Sequence, residues 1–150
     1  MKILIASDHA GFEMKEFLRE WLVQEGYEVK DFGAYSYNEQ DDYPDFMKLL
    51  GEEISKNPDG ARGIILGGSG QGEAIVVNRN KDVRAAVYYG CKEEVIVLSR
   101  QHNDANVLAL AARFLNKEEA KSAIKLWLDT KFDSSGENER HLRRIEKIDN

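Results

Sequence analysis

The sequence predicts an α/β domain in which a parallel sheet of five strands is covered on both faces by helices. Three observations carry this expectation. Short apolar runs alternate with amphipathic helical patterns along the chain, the rhythm of strands joined by crossover helices. The run Ile64-Ile65-Leu66 is apolar without alternation, as a strand buried on both faces must be. Four glycines follow it, at 67, 68, 70 and 72, and Ala74–Asn78 then reads as the opening of a helix. Strand, glycine-rich turn and helix in that order aim backbone N–H groups at an anion.

Each element has its own reason. Residues 2–6 are an apolar first strand, and the helix after it begins near Gly11. Met14, Phe17, Leu18, Trp21 and Leu22 form one apolar stripe at helical spacing, and Gly26 is its stop. Tyr27–Phe32 alternates as a second strand. Residues 33–44 read as a loop that ends in Asp41-Asp42-Tyr43-Pro44. Phe46, Met47, Leu50 and Ile54 continue as a second amphipathic helix, and Asn57-Pro58-Asp59-Gly60 is a turn leading to the third strand. Val83–Tyr88 is the fourth strand, and Glu93–Ser99 a short helix running out into Arg100-Gln101-His102-Asn103-Asp104. Val107–Leu110 is the fifth strand. Lys117–Leu128 is a helix with Ala120, Ala123, Ile124, Trp127 and Leu128 on one face. Ser134-Ser135-Gly136 breaks it, and a polar helix at about 137–148 carries Arg140, His141, Arg143 and Arg144.

The 150 residues make a single domain, 1–150, the expectation. The composition is 42% hydrophobic and 32% charged, which fits a globular chain and not a disordered one. The net charge of −6 argues against nucleic-acid and anionic-membrane partners. No apolar stretch approaches the roughly 20 residues that span a bilayer. The apolar start runs straight into Ser7-Asp8-His9, so no secretory signal is expected. The lone Cys91 excludes an intramolecular disulfide and fits the cytoplasm.

Ligands of open parallel sheets bind beyond the carboxyl ends of the strands. That rule selects Ser7-Asp8-His9, the 67–72 loop, Tyr88–Cys91 and Arg113 as the candidate rim. The loop after the first strand lacks G-x-G-x-x-G, and the 67–72 loop is not G-x-x-x-x-G-K-[ST]. Nicotinamide cofactors and nucleotide triphosphate hydrolysis are therefore not expected. The three histidines show no metal-ligand spacing, so no metal site is expected.

Glu73, beside the glycine loop, suggests proton transfer; it also suits a helix start, where a carboxylate offsets the dipole. Asp8-His9 reads equally as a ligand pair or as a capping pair ahead of Gly11, His102 as a loop histidine, and the C-terminal arginines as a solvated face. Cys91 reads as inert packing.

These segments together resemble the ribose-5-phosphate isomerase type B family, which includes the galactose-6-phosphate isomerase subunits. The resemblance spans nearly the whole chain: Ser7-Asp8-His9-Ala10-Gly11-Phe12, Asp42-Tyr43-Pro44, Gly67–Gly72, Asn78, Arg84-Ala85-Ala86, Leu98 through Asn106, and Arg140-His141. The Ser-Arg-Gln-His-Asn-Asp block is its most specific part. Many members carry a cysteine base where this chain has Gly67. The sequence resembles instead the branch whose loop reads Gly-Gly-Ser-Gly-x-Gly-Glu, with the glutamate as base.

The resemblance implies a Rossmann-like three-layer α/β/α sandwich and an aldose–ketose isomerase without cofactor. It implies Glu73 as proton acceptor and His102 as the acid/base for sugar ring opening. Asp8, His9, Gly68, Ser69, Gly70, Gln71, Gly72, Asn103, Arg113, Arg140 and Arg144 match its substrate-binding positions. It implies homodimers with active sites shared between subunits, sometimes paired into tetramers, with the C-terminal helix contributing to the dimer. Ribose 5-phosphate is the expected substrate; an aldose phosphate of four or six carbons, or a non-catalytic sugar-phosphate sensor, are the competing readings. The glycine loop is expected to keep side chains out of the way of backbone donors facing the substrate.

Overall fold

The structure is a computed structural model and describes residues 1–148. Five parallel strands form one sheet: β1 (Lys2–Ser7), β2 (Glu28–Asp31), β3 (Ala61–Gly67), β4 (Ala85–Tyr88) and β5 (Val107–Ala111), in the order β2-β1-β3-β5-β4. The helices are α1 (Phe12–Gln24), α2 (Tyr43–Lys56), α3 (Gln71–Val77), α4 (Glu94–Asn103), α5 (Lys117–Asp129) and α6 (Glu139–Ile145), the last entered through a 3₁₀ turn at Gly136–Asn138. The three-layer sandwich expected from the sequence is the observed architecture.

The two faces of the sheet explain the apolar runs. Ile3 and Ile5 of β1 pack with Leu18, Leu22, Ile124 and Trp127 under α1 and α5. Leu4 and Ala6, pointing the other way, pack with Met47, Leu50 and Ile54 under α2 and with Ala74 and Val77 under α3. Each residue of β1 from Ile3 to Ala6 is fully buried because both faces are covered. α5 starts at a capping box in which Asn116 and Glu119 bond reciprocally, and α2 starts with Pro44 in its first turn.

One boundary differs in a way that matters for function. α4 continues through Arg100-Gln101-His102-Asn103, which the sequence reading left outside the helix. It stops at Asp104, whose φ is 43°, with Asp104 N–H donating to Arg100 O and Ala105 N–H to Ser99 O. This is the left-handed helix stop usually made by glycine. Aspartate holds it here because its carboxylate is bonded by Arg100 at 2.7 Å and by Arg84 at 3.0 Å. Arg100 also donates to Ala105 O and Thr130 O. Much of the signature block is therefore structural: it ties the end of α4 to β4, β5 and α5.

The strand order reverses between β1 and β3, so the loops after these two strands diverge to opposite faces. The opening between them is the switch-point crevice where such sheets bind ligands.

Candidate active site

The crevice at the switch point is a cleft of about 460 Å³, lined by Asp8, His9 and Ala10 after β1, Gly68, Ser69, Gly72 and Glu73 after β3, Arg113 and Phe114 after β5, and Tyr43 at the start of α2. Seven of the residues singled out from the sequence meet here. Gly70 and Gln71 belong to the same loop but do not line the cleft; Gln71 is the exposed first residue of α3.

Glu73 is 4% exposed. Burial raises its carboxyl above the usual range; its own backbone N–H opposes this, and the charge of Asp8 adds to the rise. The balance between helix start and burial thus falls to burial. A carboxylate held above its solution range is a stronger base once ionised, as proton abstraction from carbon requires.

Asp8 caps and lines at once. Its Oδ1 accepts the N–H groups of Ala10 and Gly11 at 3.0 and 3.2 Å, which shapes the turn into α1. His9 is anchored by Asp41, whose Oδ1 lies 2.6 Å from His9 Nδ1 and accepts the His9 backbone N–H at 3.0 Å. That bond is the main reason the imidazole is raised above its ordinary value; burial lowers it, Asp8 raises it and Arg113 lowers it.

The glycines also serve a packing purpose that the sequence does not display. A Cβ on Gly68 would press on the Arg113 guanidinium at 3.2 Å. One on Gly72 would meet the Tyr43 ring at 2.8 Å. Gly70, at φ 74°, abuts the backbone of Leu110. The loop is glycine-rich because β5, Arg113 and Tyr43 approach it closely, and Tyr43 and Arg113 thereby become walls of the cleft. Main-chain bonds from Ala112 N–H to Gly67 O and from Arg113 N–H to Gly68 O fix that approach.

His102, Asn103 and Arg144 lie elsewhere. They line a second groove between α4 and α6 with His141, Ile145 and Ile148, and no residue is common to the two linings. Arg140 is exposed on the same helix, α6. His102 sits in the last turn of α4, not in a loop, and its ring stacks on His141 at 4.2 Å and 9° from parallel. His141 is 4% exposed, its Nε2 unpartnered among the described residues, and its imidazole is lowered by burial, then by His102, Arg140 and Arg144. Tyr88 and Cys91, placed on the rim by the strand-end rule, line grooves beside α4 and α5 instead of the cleft. The edge position of β4 explains this, since its carboxyl end lies two strands from the switch point. Cys91 is exposed at φ 79° and is not a packing residue.

Sequence reasoning passed over Asp41, Tyr43 and His141 as single residues. Their signal is a neighbour across the fold, which spacing along the chain does not display. Among the described residues, Asp8, His9 and Asp41 bring donor atoms within 4.8 Å of one another. His9 Nδ1 and Asp41 Oδ1 are bonded to each other, and Asp8 Oδ1 accepts two N–H groups.

Residues 3–148 match the family model described as Ribose/Galactose Isomerase. The chain is 38% identical to the probable ribose-5-phosphate isomerase B of Mycoplasma genitalium over 97% of its length and 92% of that protein. It is also 38% identical to ribose-5-phosphate isomerase B of Escherichia coli, over 98% and 93%. Among solved structures, the Mycoplasma genitalium enzyme with bound ribulose 5-phosphate superposes with a TM-score of 0.90 at 38% identity, covering 98% of this chain and 93% of that one. The Thermotoga maritima enzyme superposes at 0.88 with 42% identity, covering 99% and 97%.

Proposed function

The chain belongs to the ribose/galactose isomerase family, and on that premise we propose that it interconverts ribose 5-phosphate and ribulose 5-phosphate through an enediolate. The observation that carries the reading is Glu73: a buried carboxylate, raised by that burial, facing a cleft that also holds Arg113 and His9. A buried, raised carboxylate in a cleft with cationic groups suits removal of a proton from a carbon of an anionic sugar.

The steps follow from the chemistry. Glu73 takes the proton from C2 of the open-chain aldose and returns it to C1, a task worth roughly 10²–10⁴ in rate. Backbone N–H groups of the 68–72 loop steady the oxyanion that develops between those carbons. His102 exchanges the proton that opens the furanose ring. Arginines hold the phosphate, which is remote from the reacting carbons and orients them. No step requires a metal or organic cofactor.

Within one chain, His102, Asn103 and Arg144 line a groove other than the one Glu73 faces. We read the working site as composite, in a homodimer: Asp8, His9, Glu73 and Arg113 from one subunit, and His102, Asn103, Arg140 and Arg144 from its neighbour. The separation of the two linings supports that reading. A cytoplasmic setting is supported by the single, unpaired and exposed Cys91; no described helix is long and apolar enough to cross a membrane.

The test is isomerisation of a panel of aldose phosphates with four to six carbons. Turnover highest on ribose 5-phosphate supports the reading. Higher turnover on a six-carbon aldose phosphate would move the assignment to that substrate, and binding without turnover on every sugar would make the protein a sensor.

A further inference from the structure

Asp41 is not part of the cleft lining, yet it grips His9 at two points. Its Oδ1 accepts the His9 main-chain N–H and faces Nδ1 of the ring. Its side chain is 8% exposed, and its other oxygen, Oδ2, is buried with no hydrogen-bond partner among the described residues. A buried carboxylate with one bare oxygen is costly unless a positive charge stands beside it. The ring of His9, at 2.6 Å, is the group placed to supply it. Asp41 is itself held in place by a turn: Gln40 N–H donates to Asn38 Oδ1 and Asp41 N–H to Asn38 O. Tyr37, from the same loop, stands edge-on to the His9 ring at 6.5 Å.

We propose that Asp41 is a positioning residue for the reaction: it fixes His9 by main chain and ring at once, and so presents the remaining Nε2–H of an imidazolium to the anionic substrate. With Nδ1 engaged by Asp41, Nε2 is the ring nitrogen left for a ligand. Without a charge on the ring, Nε2 would be an acceptor and would repel a phosphate oxygen; with it, Nε2 is a charge-assisted donor beside Arg113.

The charged groups facing His9 are Asp41 and Asp8, which favour the imidazolium, and Arg113, which disfavours it. Glu73 and Tyr43 are the further titratable groups of the cleft. The direction is upward in sum, so the charge is present at low pH and is lost as pH rises through the elevated value. Anion affinity falls over the same interval. The proposal rests on the isomerase reading for the identity of the substrate, but the Asp41–His9 pair does not depend on it.

The test compares wild type with Asp41→Asn, which keeps an acceptor for the backbone N–H and removes the charge. Three quantities are read: the His9 titration by NMR, the affinity for inorganic phosphate by calorimetry from pH 6 to 8.5, and kcat and KM for ribose 5-phosphate. The expected result is a lower His9 midpoint in the variant. Phosphate binding and KM weaken by about tenfold near neutral pH, converge with wild type at low pH, and leave kcat within about twofold. Asp41→Glu, which restores the charge, is expected to recover part of the pH profile. An unchanged His9 midpoint with unchanged phosphate affinity overturns the proposal. So does a loss of equal size at every pH, because mere loosening of the loop moves no pH profile. If Asp41→Asn does not fold, a wild-type His9 midpoint at or below that of a free histidine overturns it alone. A shifted midpoint in a protein that turns over no sugar would support the pair and refute the isomerase reading.

Discussion

A side chain on Gly67 would occupy the space that holds the carboxylate of Glu73; the atoms nearest its Cβ would be the two oxygens and the carboxyl carbon of that one residue. Gly67 is not among the glycines with positive φ, so its backbone accepts a side chain once that space is vacated. A base on position 67 and a base on position 73 therefore reach the same point, and each excludes the other.

Gly67→Cys alone is expected to displace Glu73 and lose activity. In Gly67→Cys with Glu73→Ala, activity should rise above that of Glu73→Ala alone. The gain should grow from about pH 7 to pH 9, as a thiol of ordinary value near 8.5 ionises. A folded double variant no more active than Glu73→Ala at any pH would show that the two positions are not interchangeable.

Glu73→Gln is expected to melt at or above the wild-type temperature at pH 7. The folded carboxyl is raised, so the folded state holds more protons than the unfolded one between the ordinary value and the elevated one. Stability then falls as pH rises through that interval, and glutamine removes the penalty. The difference in melting temperature should shrink toward pH 4. A variant less stable than wild type at pH 7 would mean that the ionised carboxylate is stabilised by its surroundings.

The fold and the candidate site differ in how far the sequence discloses them. Ile3–Ala6 and Ile64–Leu66 announce strands buried on both faces, because full burial leaves no polar face to alternate. The cleft residues Asp8, His9, Glu73 and Arg113 were legible because each follows a strand end. The helical placement of His102 was not, since Asp104 makes a helix stop that glycine usually marks and needs Arg84 and Arg100 to hold it. Nor were the Asp41–His9 bond and the His102–His141 stack, which join segments 32 and 39 residues apart in sequence. The packing reason for the glycine loop was hidden for the same reason: Arg113, Tyr43 and Leu110 reach it from distant parts of the chain.

Arg140→Ala and Arg144→Ala are each expected to weaken binding of ribose 5-phosphate by roughly ten- to hundredfold, the range for a charged hydrogen bond. An unphosphorylated sugar should lose far less. Equal losses for both sugars, measured by calorimetry, would remove these arginines from the phosphate.

Mixed dimers test whether the site is composite. A chain carrying Arg140→Ala paired with a chain carrying Glu73→Gln should contain one site with both residues intact, and so recover, at low sugar concentration, turnover above that of either homodimer. No recovery in a purified mixed dimer would place both residues in the site of a single chain.

Cys91→Ser should leave turnover within about twofold, and alkylation of the exposed thiol should proceed with little inhibition. Inactivation by alkylation that substrate prevents would put a thiol near the chemistry.

The central claim is that Glu73 moves a proton between adjacent carbons of the sugar. NMR of ribose 5-phosphate in deuterated water tests it most directly, with wild type and Glu73→Gln compared at equal occupancy. Wild type is expected to form ribulose 5-phosphate and to wash deuterium into the sugar at the reacting carbons. Glu73→Gln should bind the sugar, lose about 10²-fold or more in turnover, and exchange correspondingly little. Deuterium entering the sugar at the wild-type rate in Glu73→Gln would contradict the account, because the proton would then be moving through another group.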